Sequence, residues 1–512
     1  MVYPFALPTT SHLAFQAFLS SSTHPSLPQS ASTARYALRL ALKTHKRLPR
    51  PQQDTHLSTL LTTLNDYLPY LVTISHGLSG KPIEPAPGSS EEVEIVLRSE
   101  IETDWRSTIS SSSSTPLKLP QPTSRARGRG LDFELAFVLS TLAYVLSRLA
   151  RASAARTFYA ASTPSPDQRT AAAQSACRSL LQASAVHSLL ASSPAFADVA
   201  RAPAPAGATT SVVPDLDPAA QAALSSLALA EATLLAVRKD DAHIAACIQA
   251  RNPNDREWMV RAPEIPKVRA LLFARLCVRA AEYAEQAAAG LGAVGGGGTG
   301  SGSRIADDLV KYSRVLGRVA RARACRFFGV DAEAAGKVGE AIAWLRAARG
   351  VLGLRGAGAG ENEEATTTST TGARAGLSKL KKGWMERREE RKMEKDAGGR
   401  GREKTEFGPG DDATREEEGR VLDMLEAKWA KMNDTVNTQP IPPSTNLLAN
   451  LPSGRDIHSP PGPYKIPCLD EELLARMRAP PDDDDFRPGS EEDSEEDTAP
   501  GTLPERSESA YY

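Results

Sequence analysis

The sequence predicts an all-α protein, and three observations carry that expectation. Alanine is abundant while Phe, Trp and Tyr make up only 5% of residues, which suits close-packed helices better than strands rich in β-branched and aromatic side chains. Long stretches repeat their apolar residues at helical spacing. The third observation is Arg318–Leu352, RVARARACRFFGVDAEAAGKVGEAIAWLRAARGVL, which reads as two amphipathic helices facing each other across a glycine turn. Ala320, Ala322 and Ala324 allow close approach of a neighbour, and Phe327 and Phe328 supply bulk. Gly336 and Gly339 bracket the turn, where the chain needs residues that tolerate positive φ. Ala341, Ile342, Leu345 and Ala348 then form one apolar face with Trp344 at its edge. Gly329, Ala341, Leu345 and Ala348 stand at the spacings of a tetratricopeptide unit. The unit occurs once, so other helices are expected to pack around it.

Taken in order, residues 1–28 read as an ordered arm with Tyr3, Phe5, Phe15 and Phe18 and one short helix. Thr33–Lys46 places Tyr36, Leu38, Leu40 and Leu42 along a basic helix. Leu57–Leu78 is helical by period, with Pro69 expected to end or kink it. Glu91–Trp105 reads as a further short helix, and Ser107–Gly130, with its SRARGRG run, as a solvated loop. Leu131–Tyr159 and Asp167–Leu190 are core helices, the second opened by Pro166-Asp167. An Ala/Pro loop, Ala197–Val213, leads to a helix over Ala219–Arg238, and the pattern resumes over Ala242–Arg251. Pro263 and Pro266 precede a long helix, Lys267–Gly290, and the glycine tract Gly295–Gly302 joins it to the hairpin. Beyond Leu354 come a Gly/Glu/Thr linker, Gly356–Gly372, and a charged helix, Leu377–Asp396, whose i, i+3 and i, i+4 pairs suit solvent. Glu416–Met432 returns to the core through Leu422, Leu425, Trp429 and Met432; Asn437–Lys465 is a proline-rich strap. The acid-dense run Asp482–Asp497 cannot bury a core and is expected to be disordered.

Charge and targeting signals narrow the function. Lys+Arg (61) and Asp+Glu (62) nearly cancel in 512 residues, so no global field draws the chain to nucleic acid. The start, MVYPFALPTTSHLAF, lacks the basic and apolar regions of a signal peptide, and Leu135–Leu146 is too short to span a bilayer. The expectation is a soluble, intracellular protein. Its five cysteines are far apart and read as free thiols, outside any disulfide framework or zinc site. Asn433-Asp434-Thr435 matches a glycosylation sequon by chance.

No constellation for catalysis emerges. The eight histidines are scattered, with His187 and His243 on helices. H-x-x-x-H, C-x-x-C and G-x-S-x-G are missing from the sequence. Gly295, Gly297 and Gly300 match G-x-G-x-x-G but follow an alanine-rich helix, where no strand-turn-helix aims N–H groups at phosphate. Asp215 with Asp217, and Asp240 with Asp241, read as helix-start and loop residues. No cofactor, metal or small-molecule substrate is implied, and a binding surface is the remaining class. Ala219–Arg238 is apolar almost all round, through Leu224, Leu227, Leu229, Leu234, Leu235 and Val237, which fits deep burial and also an apolar groove.

Three segments together resemble the Bro-type domain of the ALIX-like endosomal scaffolds. They are LSSLALAEATLLAV (Leu224–Val237) with its Ala230-Glu231-Ala232 pattern, GKVGEAIAWLRAA (Gly336–Ala348), and the strap MNDTVNTQPIPPSTNLLANLPSG (Met432–Gly454). Within the family, YPFALPTTS (Tyr3–Ser11), LNDYLPYL (Leu64–Leu71), RNPNDREWMVRAPEIPKVRALLFARLC (Arg251–Cys277) and GLSKLKKGWMERREERK (Gly376–Lys392) resemble a fungal branch serving ambient alkaline-pH signalling. The likeness implies an elongated, boomerang-shaped all-α domain over residues 1–470 with a tetratricopeptide-like middle. Low-complexity inserts fall at about 107–130, 197–213, 291–303 and 356–374, and an acidic tail at 471–512.

The same resemblance implies a non-enzymatic adaptor that binds the C-terminal helix of the polymerising ESCRT-III subunit. It works with other pH-signalling components toward proteolytic activation of a transcription factor, and partners bring it from the cytoplasm to plasma-membrane cortical or endosomal foci. Carried over by residue, a family aromatic falls at or beside Ala236, where Leu235 or Val237 can stand in for it. An apolar pair four apart falls near Ile244 and Ile248, and an acid/lysine pair of the family falls at Thr170 and Gln174. Two other readings stay open: an endosomal-sorting cargo adaptor, and a divergent hydrolase or nucleotide-binding enzyme. The hairpin is expected to hold the shape and Ala219–Arg251 to do the binding.

Overall fold

The structure, a computed structural model, describes residues 2–84, 90–111, 125–160, 162–202, 211–249, 267–294, 304–354, 412–457 and 461–480. The linker at 356–372, the charged helix expected at Leu377–Asp396, the glycine tract Gly295–Gly302 and the acidic run Asp482–Asp497 lie outside the described residues. Helices α1 (Leu27–Arg47) and α2 (Arg50–Ser79) form an N-terminal hairpin. They are followed by α3 (Leu131–Phe158), α4 (Pro166–Ser192), α5 (Pro218–Arg238), α6 (Ala242–Gln249) and α7 (Lys267–Val294). Then come α8 (Asp307–Ala334), α9 (Val338–Leu352), α10 (Arg415–Met432), α11 (Ser444–Ala449) and α12 (Glu471–Met477). Long helices stack in chain order: α2 on α3, α3 on α4, α4 on α5, α5 on α7, α7 on α8 and α8 on α9. α10 then packs on α9, α8 and α6.

Two large apolar cores result. One gathers α1–α3 around Leu38, Leu64, Tyr67, Trp105 and Phe137; the other gathers α5 and α7–α10 around Leu227, Phe273, Phe327, Leu345 and Trp429. Between them runs a seam of small residues, with Ala173 and Ala176 of α4 meeting Ala228 and Ala232 of α5, as close helix approach requires. Both α3 and α5 are long and apolar enough to cross a membrane by composition, yet here they are buried among other helices. The hairpin turns as its sequence predicts: Gly336 takes a φ of 77°. Gly339 serves differently, since a Cβ there would collide with the carbonyl of Pro440 in the strap.

The structure departs from these expectations at several points. Glu91–Trp105 is extended: Val96–Leu97 pairs with Leu19–Ser20, and strand β1 (Glu102–Arg106) pairs antiparallel with β2 (Arg125–Arg129). Thr103 and Trp105 alternate inward along β1, which is strand periodicity. The basic run at Arg125–Arg129 is therefore a strand, and Arg129 donates to Glu102 across the ladder at 3.0 Å. Of the two outcomes expected of Pro69, an end to the helix or a kink, the first does not occur: α2 runs on, with Tyr67, Leu68 and Leu71 on the same turns fully buried. At the expected loop 197–213, Arg201–Ala202 pairs with Ser211–Val212, and α7 runs into the expected insert 291–303 with Leu291 buried. Finally, the packed fold passes residue 470: α12 buries Leu474 and Met477 in the first core, and the N–H of Ala479 donates to Thr23.

A buried carboxylate ties the first core together. Glu134 of α3 accepts from Arg35 Nε of α1 (2.8 Å), the Tyr67 hydroxyl of α2 (3.1 Å) and Trp105 Nε1 of β1 (2.7 Å). Arg35 also donates to Thr10 Oγ1 and to the Ser11 carbonyl, each at 2.8 Å, which fixes the N-terminal arm. Arg35 and Glu134 are 1% and 0% exposed. Removing one partner strands the other charge in the core, at a cost of about 3–5 kcal/mol. Glu134→Ala is therefore expected to lower the thermal unfolding midpoint sharply, whereas an exposed change such as Glu416→Ala leaves it near the parent value; calorimetry on both variants checks this.

Candidate partner-binding site

The α5–α6 region predicted to bind a partner sits where four helices converge. The N-terminal turn of α4 is fixed by a capping box, in which Ser165 Oγ accepts from the N–H of Gln168 and the Gln168 side chain accepts from the N–H of Ser165. Asp217 caps α5 through the N–H groups of Ala219 and Ala220. Asp241 caps α6, its Oδ1 accepting from the N–H of Ile244 at 3.2 Å. These caps place Phe158 at the end of α3, Pro164 and Arg169 around the start of α4, Arg238 at the end of α5, and Ile244, Ala245 and Ile248 on α6 around one notch. Its volume is about 40 Å³, room for part of one apolar side chain rather than for a small-molecule ligand.

The structure treats the sequence-predicted residues unequally. Ile244 and Ile248 share the notch, Ile244 at its base (1% exposed) and Ile248 half-buried. Leu235 and Val237 are both 0% exposed, and Ala236 is 8% exposed. The first two are core residues rather than stand-ins for a surface aromatic, because α5 is clamped between α4 on one side and α7 on the other. Thr170 and Gln174 lie on α4 beyond Arg169, and Gln174 is exposed. Sequence reasoning missed Phe158 and Arg238. The Arg238 guanidinium stacks over the rings of Phe158 and Tyr159 at 5.0 and 4.8 Å, so it covers the aromatic wall and ties α5 to α3. A lone arginine ending an otherwise apolar helix was the available signal.

Beneath the notch lies a buried ionic cluster. Arg326 of α8 donates to Asp241 Oδ2 at 2.5 Å and to Glu418 Oε1 of α10 at 2.6 Å. Arg323, one turn earlier, donates to Glu418 Oε2 (2.9 Å) and to Thr414 Oγ1 (3.0 Å). All four charged side chains are 0% exposed. Burial alone would raise the Asp241 pKa, but the charge and hydrogen bonds of Arg326 hold it down to about 2. The neighbouring His243 is pushed down to about 4, by burial first and then by Arg326, so its imidazole is neutral near pH 7. Among the described residues, no three of His, Cys, Asp and Glu gather as a metal site.

Stacked helices, a small apolar notch and a charge cluster spent on structure define a docking scaffold. The chain belongs to the BRO1-like domain family, whose model matches residues 94–452. It is 60% identical, over the full length of both chains, to the pH-response regulator protein palC of Emericella nidulans. It is 31% identical, over 30% of this chain and 26% of the relative, to the pH-response regulator protein palC of Cryptococcus neoformans var. neoformans. Among solved structures it shares its fold with the ALIX BRO1 domain in a complex with CHMP4C, at a TM-score of 0.51 and 15% identity over 92% of this chain and 99% of that one. ALIX in complex with a viral late-domain peptide gives a TM-score of 0.50 at 14% identity, over 95% of this chain and 52% of that one.

A second buried carboxyl on α5 joins the N-terminal arm to the second core. Glu231 Oε1 accepts from the N–H of Tyr3 (2.8 Å) and from the Tyr312 hydroxyl of α8 (2.9 Å). Burial raises its pKa from 4.5 to about 7, against the lowering effect of those two donors. Between these values the folded chain keeps a proton that the unfolded chain has released, so this group's stabilisation is full below pH 4.5 and is lost as pH rises to about 7. Glu231→Gln keeps an acceptor for both donors and removes the titration. Unfolding midpoints measured across that window should fall less with rising pH in the variant than in the parent; parallel curves would contradict the assignment.

Proposed function

We propose that this protein is a non-enzymatic adaptor of the fungal alkaline-pH response. In this reading its α5–α6 notch receives the C-terminal helix of the polymerising ESCRT-III subunit. The adaptor moves from the cytoplasm to plasma-membrane cortical or endosomal foci and helps assemble the complex that leads to proteolytic activation of the pH-responsive transcription factor. The observation that carries this reading is the convergence of Ile244 and Ile248 with Phe158 on one notch. Two apolar residues one turn apart, beside an aromatic, offer an amphipathic helix a seat for a single anchoring side chain. Full-length identity of 60% to a pH-response regulator supports the pathway, and the shared fold with an ALIX BRO1 domain complexed with CHMP4C supports the kind of partner.

The notch also explains why the partner would be a helix and not a metabolite. With about 40 Å³ it cannot enclose a substrate, and the buried acids nearest to it are already neutralised by Arg323 and Arg326. Affinity then has to come from apolar surface covered along α6, with Arg169 at the same notch as a cation for an acidic flank.

Ile248→Asp places a charge where the partner's apolar face must dry, and the double variant Ile244→Asp/Ile248→Asp adds one at the base. Both should abolish capture of the ESCRT-III C-terminal helix in a pull-down. Because Ile244 is buried, the single Ile248→Asp variant is the cleaner test, with far-ultraviolet circular dichroism required to match the parent. Undiminished capture by that variant removes α6 as the docking site.

A further inference from the structure

We infer that the outer face of α1, with the basic residues of β1 and β2 beside it, is a contact surface for an anionic lipid membrane. The argument starts from what α1 leaves uncovered. Its core face is filled by Leu27, Ala31, Leu38, Ala41 and Leu42, while Tyr36 and Leu40 remain 52% and 53% exposed. At about 100° per residue, Tyr36, Leu40, Lys43 and Arg47 fall on one stripe within about 60° of arc, flanked by Arg39 and Lys46. The helix sequence, LPQSASTARYALRLALKTHKR, contains no acidic residue. An ordinary solvated face alternates its charges; this one combines large apolar groups with a single sign of charge.

Neighbouring elements add to the charge. Arg125 of β2 and Arg106 of β1 lie close enough to α1 to act on its lysines. The Lys43 ammonium is depressed by desolvation and then by Arg39, Arg125 and Arg47, and that of Lys46 by desolvation and then by Arg106 and Arg125. Among the described residues none of Lys43, Lys46, Arg47 and Arg125 has an acidic partner, although Arg127 and Arg129 of the same strand are paired with Glu102. Lys43, Lys46, Arg47 and Arg125 repel one another and gain from an external anion. Nearly balanced overall charge, 61 basic against 62 acidic residues, makes the local excess specific to this face.

A membrane satisfies both halves of the stripe at once. Lipid phosphates take the ammonium and guanidinium heads, while the Tyr36 ring and the Leu40 side chain reach the acyl boundary beneath them. The contacts run along a protruding helix rather than around a cleft, so the surface suits a broad sheet of headgroups better than a single acidic segment. It is remote in sequence from the α6 notch and does not depend on what that notch binds.

Co-sedimentation of the full chain with vesicles tests the inference. Binding is expected to vesicles of phosphatidylcholine with phosphatidylserine, to weaken with salt, and to be absent with phosphatidylcholine alone. Lys43→Glu/Arg47→Glu should weaken it on the order of tenfold or more, since each basic side chain near an anionic surface contributes about a fivefold factor. Tyr36→Ala/Leu40→Ala should weaken it at fixed charge, and Arg318→Glu on α8 and Ile248→Asp on α6 should not change it. Circular dichroism on each variant establishes that it is folded. The inference is overturned if the parent ignores phosphatidylserine, if folded α1 variants bind like the parent, or if polyglutamate binds this face while vesicles do not.

Discussion

Arg326 is the residue on which the position of α6 depends. It is fully buried, and it bridges Asp241 at the α5–α6 junction to Glu418 on α10. Asp241 accepts from Arg326 through both oxygens, and its Oδ1 also caps α6, so the charge that holds the junction also orients the helix carrying Ile244 and Ile248. Desolvating four charged groups is costly, and the arrangement is tolerable only because each charge has opposite-sign partners at hydrogen-bond distance. Apolar side chains could fill the same volume, but they could not specify which turn of α6 faces Arg326. The cluster therefore fixes position more than it adds stability. It also holds unfavourable backbone: Ala413 and Thr414 have φ of 58° and 67°, and Thr414 is kept there by its hydrogen bond from Arg323 and by starting α10.

The same logic divides α5 from α6. α5 is covered on opposite sides by α4 and α7, so even apolar residues in the positions that the resemblance pointed to are consumed by packing. α6 is short, lies against α10, and has fewer neighbours to hide its outer turn. The proposed docking surface, on the helix after a buried one, rests on a packed floor, and among the described residues Ile248 is only partly covered. Phe158 and Arg238 complete that surface from two other helices, and stacking between them keeps the ring in place without a covering helix.

Most helices were legible because their core faces recur with the helical period, as in Leu131–Tyr159 and the Arg318–Leu352 hairpin. What could not be read is what depends on distant pairing. Glu102–Arg106 looks like any short charged segment until Arg125–Arg129 lies beside it, since cross-strand charge pairs leave no local period. Nothing in the local sequence marks Arg323 and Arg326 as interior; only the arrival of Glu418, more than ninety residues later in the chain, makes them so. Leu474 and Met477 were lost in an acid-rich context, although two apolar side chains on one short helix were enough to seat α12. The candidate site was half legible: the i, i+4 pair on α6 carries its own spacing, whereas the aromatic wall comes from α3 and has no sequence proximity to it.

The two surfaces belong to different halves of the fold. α1 is anchored in the first core through Arg35 and Glu134, and α6 rests on the second through Asp241 and Arg326. Between them stands the alanine seam of α4 and α5, where small side chains let the two helices pack closely. Each surface is thus held by its own buried arginine–carboxylate pair and separated from the other by rigid packing. α3 contributes to both cores, through Phe137 to the first and Tyr144 to the second, so the two faces share one packed scaffold. The proposed membrane contact and the proposed partner contact sit on one packed scaffold, so the first, once made, raises the effective concentration of the second.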